Sequence, residues 1–450
     1  MTTATTRLMP GPRGHWLRGC LRRFQQEPLE FYRECHREYG DYVRIRMVPG
    51  VDVYLLTHPD AVEHILQKHH KNFRKPDFFP KTVGLLAGNG ILTSSGDFWL
   101  RQRRLMQPAF HRQQLERLVP AMTEAATAFV EERLKSPTET FDILPEMMKL
   151  SLRIAGNTLF STDISADADE VGQAFRTTFD YVSYRMNYSP WTPVWWPNQR
   201  NREFALAKRV LDRVVLKIIA NRRASHDKPD DLLTLLLAAQ DEDSGGGMTD
   251  QQLLDEVLTL LTAGHETVGA SLAWVWSLLG EDHDIQENVY DEIHSVLRGR
   301  TPTLEDLPNL PLTRAVYDET IRLYPPAWGQ PRQSIDEDEL GGYTLPKKSF
   351  IVISQWITQR HEAFWPDPHA FQPERFLTPD PQRPKFAYFP FGGGPRICIG
   401  NTFALMEAPL VMATILQRFR IRRTTTEPIV PDPTFTLRPK FGVPVRLEAR

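Results

Sequence analysis

The sequence predicts a mainly α-helical fold with a minor β component, continuous over residues 1–450. Three observations lead there. Long segments repeat apolar residues every three or four positions, the pattern of helices with one buried face. Short segments of alternating character fall near the two ends of the chain. No Pro-, Gly- or charge-rich stretch is long enough to tether separate domains, and no internal repeat is visible. The 450 residues exceed the ~250–300 at which a single core usually stops growing, yet the linkers that two domains would need are missing.

The elements follow in order. Asp41 to Met47 and Val51 to Thr57 alternate and are joined through Pro49-Gly50, which predicts a hairpin. Leu115 to Leu134, Met147 to Leu159, Arg202 to Arg223 and Gln251 to Leu279 carry the helical spacing. Breaks are expected at Tyr188 to Asn198, at Asp241 to Gly247 and at Asp380 to Pro384. Short strands are expected to return only after Pro325, and a last helix over Phe403 to Phe419. Leu253 to Leu279 is apolar almost all round, as a membrane span would be, but Asp255, Glu256, His265 and Glu266 interrupt it. Each acid at a bilayer centre costs roughly 2.5–3.5 kcal/mol, so this is read as a buried central helix. Thr249 and Gln252 predict a capping box at its start, and Gly280 stands where it should stop.

Lys+Arg of 54 against Asp+Glu of 56 gives a net charge of -2, which offers no field to recruit nucleic acid or an anionic membrane surface. A small neutral or lipophilic partner fits better. Cys20, Cys35 and Cys398 are too few for a disulfide framework, so a reducing, cytoplasmic setting is expected. Met1 to Gly19 holds no apolar run of signal-peptide or anchor length.

The most informative stretch is Phe391-Gly392-Gly393-Gly394-Pro395-Arg396-Ile397-Cys398-Ile399-Gly400. The glycines allow a tight turn and close approach to a flat ligand, and Gly400 leaves room beside the sulfur. A following helix N-terminus favours a thiolate over a thiol, and Arg396 can pair with a carboxylate. An isolated cysteine of this kind would more simply be a small buried hydrophobe. Here the string resembles the haem-binding loop of the cytochrome P450 family, Phe-x-x-Gly-x-Arg-x-Cys-x-Gly, at every fixed position. The resemblance implies that Cys398 is the axial iron ligand, whose electron donation favours O–O cleavage; the P450 thiolate is the standing example of that effect. It also implies one fold with haem buried between the central helix on one side and the cysteine loop with its following helix on the other.

Other motifs stand in the family's order. Glu319-Thr320-Ile321-Arg322 and Pro373-Glu374-Arg375-Phe376 resemble its Glu-x-x-Arg helix and Pro-Glu-Arg-Phe segment, with Glu319, Arg322 and Arg375 expected to form a structural network. Alone, Glu319 and Arg322 would be an ordinary helical ion pair. Ala263-Gly264-His265-Glu266-Thr267 resembles the oxygen-activation segment, in which a local helix distortion makes room for dioxygen. Breaking O–O consumes protons, which calls for a hydroxyl donor and an acid to resupply it; Thr267 is assigned as donor and Glu266 as relay. Val268 departs from the Thr or Ser that many members carry. Trp99 and Arg103, one turn apart, match a propionate-binding pair, and Arg332 falls where a further propionate ligand is expected. Phe391, Gly400 and Ala263 complete the expected haem contacts.

The resemblance further implies haem b, O2 as co-substrate and NAD(P)H electrons. No flavin or iron–sulfur signature and no room for a fused reductase is found, so a separate ferredoxin or flavodoxin with its reductase is expected, and the protein itself is expected to be a monomer. By analogy the substrate would meet Leu86, Leu92, Ala263, Ala327, Trp328 and Phe435, which are apolar and suit a small lipophilic molecule. Arg74, Lys75 or Lys81 could instead hold a fatty-acid head group. Segments around Leu323 to Trp328, Gln372 to Leu377 and Thr436-Leu437-Arg438-Pro439 look similar to bacterial members acting on carotenoid or terpenoid rings. Two other functions stay open here: a peroxide-driven peroxygenase or isomerase, against which the Glu266–Thr267 pair argues, and a non-catalytic haem protein, for which a proton relay would be superfluous.

Overall fold

The computed structural model describes residues 7–135, 139–162, 168–188, 193–226, 229, 231–239 and 247–450. The expected breaks at Tyr188 to Asn198 and Asp241 to Gly247 lie partly outside the described residues, at 189–192 and 241–246. The chain forms two compact units, each assembled from separated stretches. One comprises Met1–Phe79, Ile321–Phe371 and Pro379–Cys398, and the other comprises Pro80–Thr320, Gln372–Thr378 and Ile399–Arg450.

The first unit is built on a five-stranded sheet. Its strands run Tyr42–Val48, Val51–Leu56, Phe350–Ile353, Gln330–Ser334 and Phe73–Arg74 in spatial order. The first two form the expected hairpin, with Gly50 at φ 82° making the turn. The third runs parallel to the second, and the remaining pairings are antiparallel. One face packs Phe31, Tyr32, Cys35, Val43, Ile45 and Leu55 into a cluster; the other packs Leu56, Ile65, Leu66, Ile351 and Phe389.

The second unit is helical. The central helix, Asp250–Leu279, begins with the expected capping box, both reciprocal bonds of Thr249 and Gln252 being present. It packs along the helix Ile143–Phe160. Gly269 is required there: a Cβ would come within 3.0 Å of Met148 Cα and 3.2 Å of the Met147 carbonyl oxygen. Two tryptophans on the same helix are buried with their indole N–H groups satisfied, Trp274 by the Leu437 carbonyl and Trp276 by Met147 Sδ. Gly280 ends the helix in right-handed conformation rather than the left-handed one common at such ends; its smallness matters because a Cβ would meet the Trp276 carbonyl oxygen at 2.8 Å and Arg423 N at 3.1 Å. Among the described residues no helix is long and apolar enough to cross a membrane.

Three expectations are corrected. Leu115 to Leu134 is two helices, Arg112–Glu116 and Val119–Arg133, because Pro120 falls in the first turn of the second and cannot donate to a preceding one. Strands occur before Pro325 beyond the hairpin: Phe73–Arg74, and Thr140–Asp142 paired with Pro444–Ala449. Two or three residues carry no readable period, so only the distant partner defines them. The last helix spans Asn401–Leu416, and Phe419 opens a strand, Phe419–Arg423.

The close approach at Gly269 makes a direct prediction. Gly269→Ala should destabilise the protein by about 1–3 kcal/mol, as overpacking against backbone does, with a lowered denaturation midpoint in urea and secondary structure retained.

Candidate active site

Cys398 is the exposed thiol of the three, whereas Cys20 and Cys35 are buried. Burial raises the Cys20 thiol and, for Cys35, pushes it up to about 12, which leaves both poor ligands and poor nucleophiles. The loop carrying Cys398 is closed by its own backbone, the Cys398 N–H donating to the Phe391 carbonyl at 3.0 Å. Between them Gly394 adopts φ 65°, and a Cβ there would overlap the Leu66 carbonyl oxygen at 1.7 Å. The loop is thus pressed against the turn that contains Leu66, and only glycine permits it. Gly400 is different: a Cβ would meet nothing nearer than Phe110 Cε1 at 3.9 Å, so protein packing alone does not call for glycine.

The sheet and this loop collect three cations. Arg332 lies on the strand Gln330–Ser334, and Lys75 directly follows the edge strand Phe73–Arg74 that pairs with it. Burial, then Arg396, pushes Arg332 down to about 10; burial also brings Arg396 to about 10. Lys75 is held well below the lysine range by burial and then by Arg396 and Arg332. Arg332 donates to the Pro331 carbonyl and to Gln330 Oε1, at 2.9 and 3.2 Å. Cations that depress one another would each be stabilised by an anionic group placed among them. A thiol presented on a glycine turn and a cationic cluster on the same unit fit the donor set that a haem with two propionates requires.

On the central helix, burial is interrupted at one strip. Ala263 is exposed and Gly264 and Thr267 are half-buried, while Thr262, His265, Glu266 and Val268 around them are buried. The expected distortion is absent: Asp250–Leu279 is α-helical throughout, and the Thr267 hydroxyl donates to the Ala263 carbonyl at 2.6 Å. That back-bond supplies the Ala263 carbonyl with a second donor. Glu266 is 4% exposed, which excludes a solvated surface acid. Its Oε1 accepts from the Thr436 hydroxyl at 2.8 Å. Burial raises its pKa, partly offset by Arg438 and by Thr436, and Arg438 in turn pairs with Asp180 at 2.6 Å. The His265 ring packs tilted against Phe175, centroids 5.1 Å apart, and burial lowers its pKa to about 3, which favours the neutral ring.

The other expected residues are placed as follows. Trp99 is half-buried on the helix Gly96–Met106, one turn before Arg103, whose Nε donates to Gln107 Oε1 at 2.8 Å. Glu319 is fully buried, accepts from the Gln372 N–H at 2.9 Å and meets Arg375 Nε at 3.4 Å. Arg322, equally buried, donates to the carbonyls of Gln359 and Pro368, both at 2.8 Å, and lies over the Trp365 ring. Phe391 is half-buried, Leu86 is buried and Leu92 half-buried, and Ala327 is exposed. Phe435 stacks on Phe179 at 5.6 Å while its N–H donates to Ser183. Trp328 is half-buried and packs toward Tyr32 with ring centroids 6.3 Å apart, against an apolar cluster of the sheet.

Sequence reasoning missed Lys75 as a partner of Arg332 and Arg396, having considered it only for a head group, and missed Thr436 as the acceptor's companion. It also missed that two acids on the central helix hold the Leu86–Leu92 segment. Asn89 N–H donates to Asp255 Oδ2 at 2.8 Å and Ile91 N–H to Glu256 Oε2 at 2.9 Å. An acid inside an apolar helical run was the available signal for such anchoring.

A thiol offered on such a loop beside clustered cations defines a haem-thiolate protein, and known proteins agree. The family model for cytochrome P450 matches residues 9–443, and the chain belongs to the cytochrome P450 family. It is 37% identical over 400 residues to the cyclooctat-9-en-7-ol 5-monooxygenase of Streptomyces melanosporofaciens, covering 88% of this chain and 86% of the relative. Pentalenene oxygenase of Streptomyces avermitilis is 35% identical over 406 residues, 90% of this chain and 88% of the relative. A solved cyanobacterial structure with retinoic acid bound matches with a TM-score of 0.87 at 26% identity, covering 99% of this chain and all of that one. The protein is accordingly an oxidoreductase of the monooxygenase class, with the haem, dioxygen and external reductant that the family uses.

Glu256 yields a pH prediction. Burial pushes its carboxyl from 4.5 up to about 7. The folded state therefore holds a proton that the unfolded chain releases, so this stabilisation is complete below about pH 4.5 and is lost as pH rises through about 7. The window corresponds to a loss on the order of 3 kcal/mol. Glu256→Gln keeps an acceptor for Ile91 and stays neutral, so its stability relative to the parent should rise between pH 5 and 8 in urea titrations; a constant difference would contradict the assignment.

Proposed function

We propose that this monooxygenase inserts one oxygen atom into a lipophilic, terpenoid-like substrate by hydroxylation or epoxidation, with NAD(P)H electrons delivered by a separate ferredoxin or flavodoxin and its reductase. The observation that carries the reading is Cys398: an exposed thiol on a backbone-closed glycine loop, in a unit that also clusters Lys75, Arg332 and Arg396. The terpenoid class is supported by the cyclooctat-9-en-7-ol and pentalenene oxygenases among the relatives and by apolar side chains at Leu86, Leu92 and Phe435.

Haem b, when bound, supplies the iron that activates O2, and thiolate donation favours O–O cleavage. Cys398 Sγ would hold the iron. Arg332, Arg396 and Lys75, and by the family resemblance Trp99 and Arg103, would hold the propionates, and Phe391, Gly400 and Ala263 would give room or contact to the macrocycle. Thr267 Oγ1, on the bare strip, holds the proton to be delivered where oxygen is activated. Glu266 is the reserve of protons: burial shifts it toward its neutral acid form, against the opposing influence of Arg438 and Thr436. Glu319, Arg322 and Arg375 have a structural role, consistent with bonds that end on backbone groups.

The ferrous–CO difference spectrum tests the ligand. The parent should show a Soret band near ~450 nm, the behaviour of thiolate-ligated haem, and Cys398→His should move it to ~420 nm; a ~420 nm band in the folded parent would overturn the reading. Turnover with a surrogate ferredoxin system tests the proton donor. Thr267→Ala should retain reductant consumption but divert it to hydrogen peroxide, cutting product per NADPH by about 10²-fold or less, the lower range of general-acid contributions. Unchanged coupling would remove Thr267 from that role.

A further inference from the structure

We propose that His64, His69 and Asp338 form a binding site for one divalent transition-metal ion of the zinc class. The inference does not depend on the haem chemistry. Residues His64–Lys68 are wound as a π-helix, and the His69 N–H donates to the His64 carbonyl at 2.8 Å. In an α-helix, residues five apart are offset by about 140° around the axis. The wider turn, with its i→i+5 bond, brings them onto one face. The two imidazoles consequently lie with ring centroids 4.0 Å apart.

Both rings meet one carboxylate oxygen. His64 Nε2 is 3.2 Å and His69 Nδ1 3.7 Å from Asp338 Oδ2, and the three ligand atoms all fall within 4.8 Å of one another. Tetrahedral zinc with ligands at ~2.0–2.2 Å places its donors about 3.3 Å apart, so side-chain adjustment suffices. Asp338 is oriented from outside by the Asn72 amide at 3.1 Å and by the Glu339 N–H at 2.8 Å, the kind of support that metal-binding carboxylates receive. The His69 side chain is 56% exposed against 11% for Asp338, which leaves a path for an ion to enter and a solvent-side position for water as fourth ligand. π-turns are rare and concentrate at functional sites; here the effect of the turn is to align two histidines on an acid.

A second group, His36, Asp41 and His361, has similar spacing. There the Thr57 hydroxyl lies 2.8 Å from Asp41 Oδ1 and 3.0 Å from His36 Nδ1, and the three side chains are mostly buried. That group closes on itself as a hydrogen-bond network and provides a control.

Tag-free holoenzyme, stripped with a chelator and dialysed, would be titrated with Zn²⁺ by calorimetry, with hydrogen exchange followed over residues 64–72. One equivalent should bind and slow exchange in that segment. His69→Ala and Asp338→Asn should each weaken binding at least about tenfold, the loss that even an outer-shell partner produces, while His361→Asn leaves it intact. The ferrous–CO spectrum of each variant reports folding without involving the metal. Absence of stoichiometric binding, binding that survives both His69→Ala and Asp338→Asn, or loss confined to His361→Asn would overturn the proposal.

Discussion

A helix buried on every side must find partners for each polar group it carries, because an unsatisfied group in such surroundings costs several times what a hydrogen bond gains. Asp250–Leu279 is in that position along most of its length. Each of three acids finds a partner in chain that is remote in sequence, Asp255 in Asn89, Glu256 in Ile91 and Glu266 in Thr436, while Glu256 Oε1, Thr262 Oγ1 and both His265 ring nitrogens are buried with none. Desolvation makes the Glu256 and Glu266 carboxyls weaker acids, and the bonds made by the three acids tie the segments around residues 89–91 and 435–438 to one rigid element. Those segments carry Leu92 and Phe435, two of the side chains assigned to the substrate, so the rigidity of the proposed pocket follows from where the charges are buried.

The strip at Ala263, Gly264 and Thr267 is the exception to that burial, and small residues explain its form. Alanine and glycine leave the helix surface low, and the threonine keeps its hydroxyl occupied on its own backbone. A bulkier residue at 263 or 264 would raise the surface, and an apolar residue at 267 would take away the hydroxyl without altering the helix. Shape and proton supply are thus carried by neighbouring positions of one turn.

Much of this was legible in residues taken alone. The long helices were readable because burial on one face imposes a period of three to four, and the capping box at Thr249 because its two bonds are local. Cys398 and its glycines were readable because the constraint is contiguous: Gly394 meets Leu66, but the need for glycine shows in the loop itself. Lys75, Arg332 and Arg396 were not readable as a set, since strand pairing brings them together from three distant stretches. Thr140–Asp142 was missed for the same reason. The packing of Trp328 against Tyr32 was not readable, because its position after Pro325-Pro326 does not give the direction of the ring.

Adjacent residues on a helix point about 100° apart, and the consequence for Glu266 and Thr267 is mechanistic. The Glu266 carboxyl is turned to Thr436, and the Thr267 hydroxyl to the Ala263 carbonyl. In the proposed reading a proton cannot pass between them in these rotamers; Glu266 must swing, or a carrier must bridge. Release of Glu266 is governed by its bond to Thr436 and by the field of Arg438, which is itself held by Asp180. Arg438 favours the charged form of Glu266 and so eases proton loss, while burial favours recapture. Burial is the larger of the two influences, so in the proposed reading Glu266 regains its proton readily, and the pull of Arg438 is what lets it part with one.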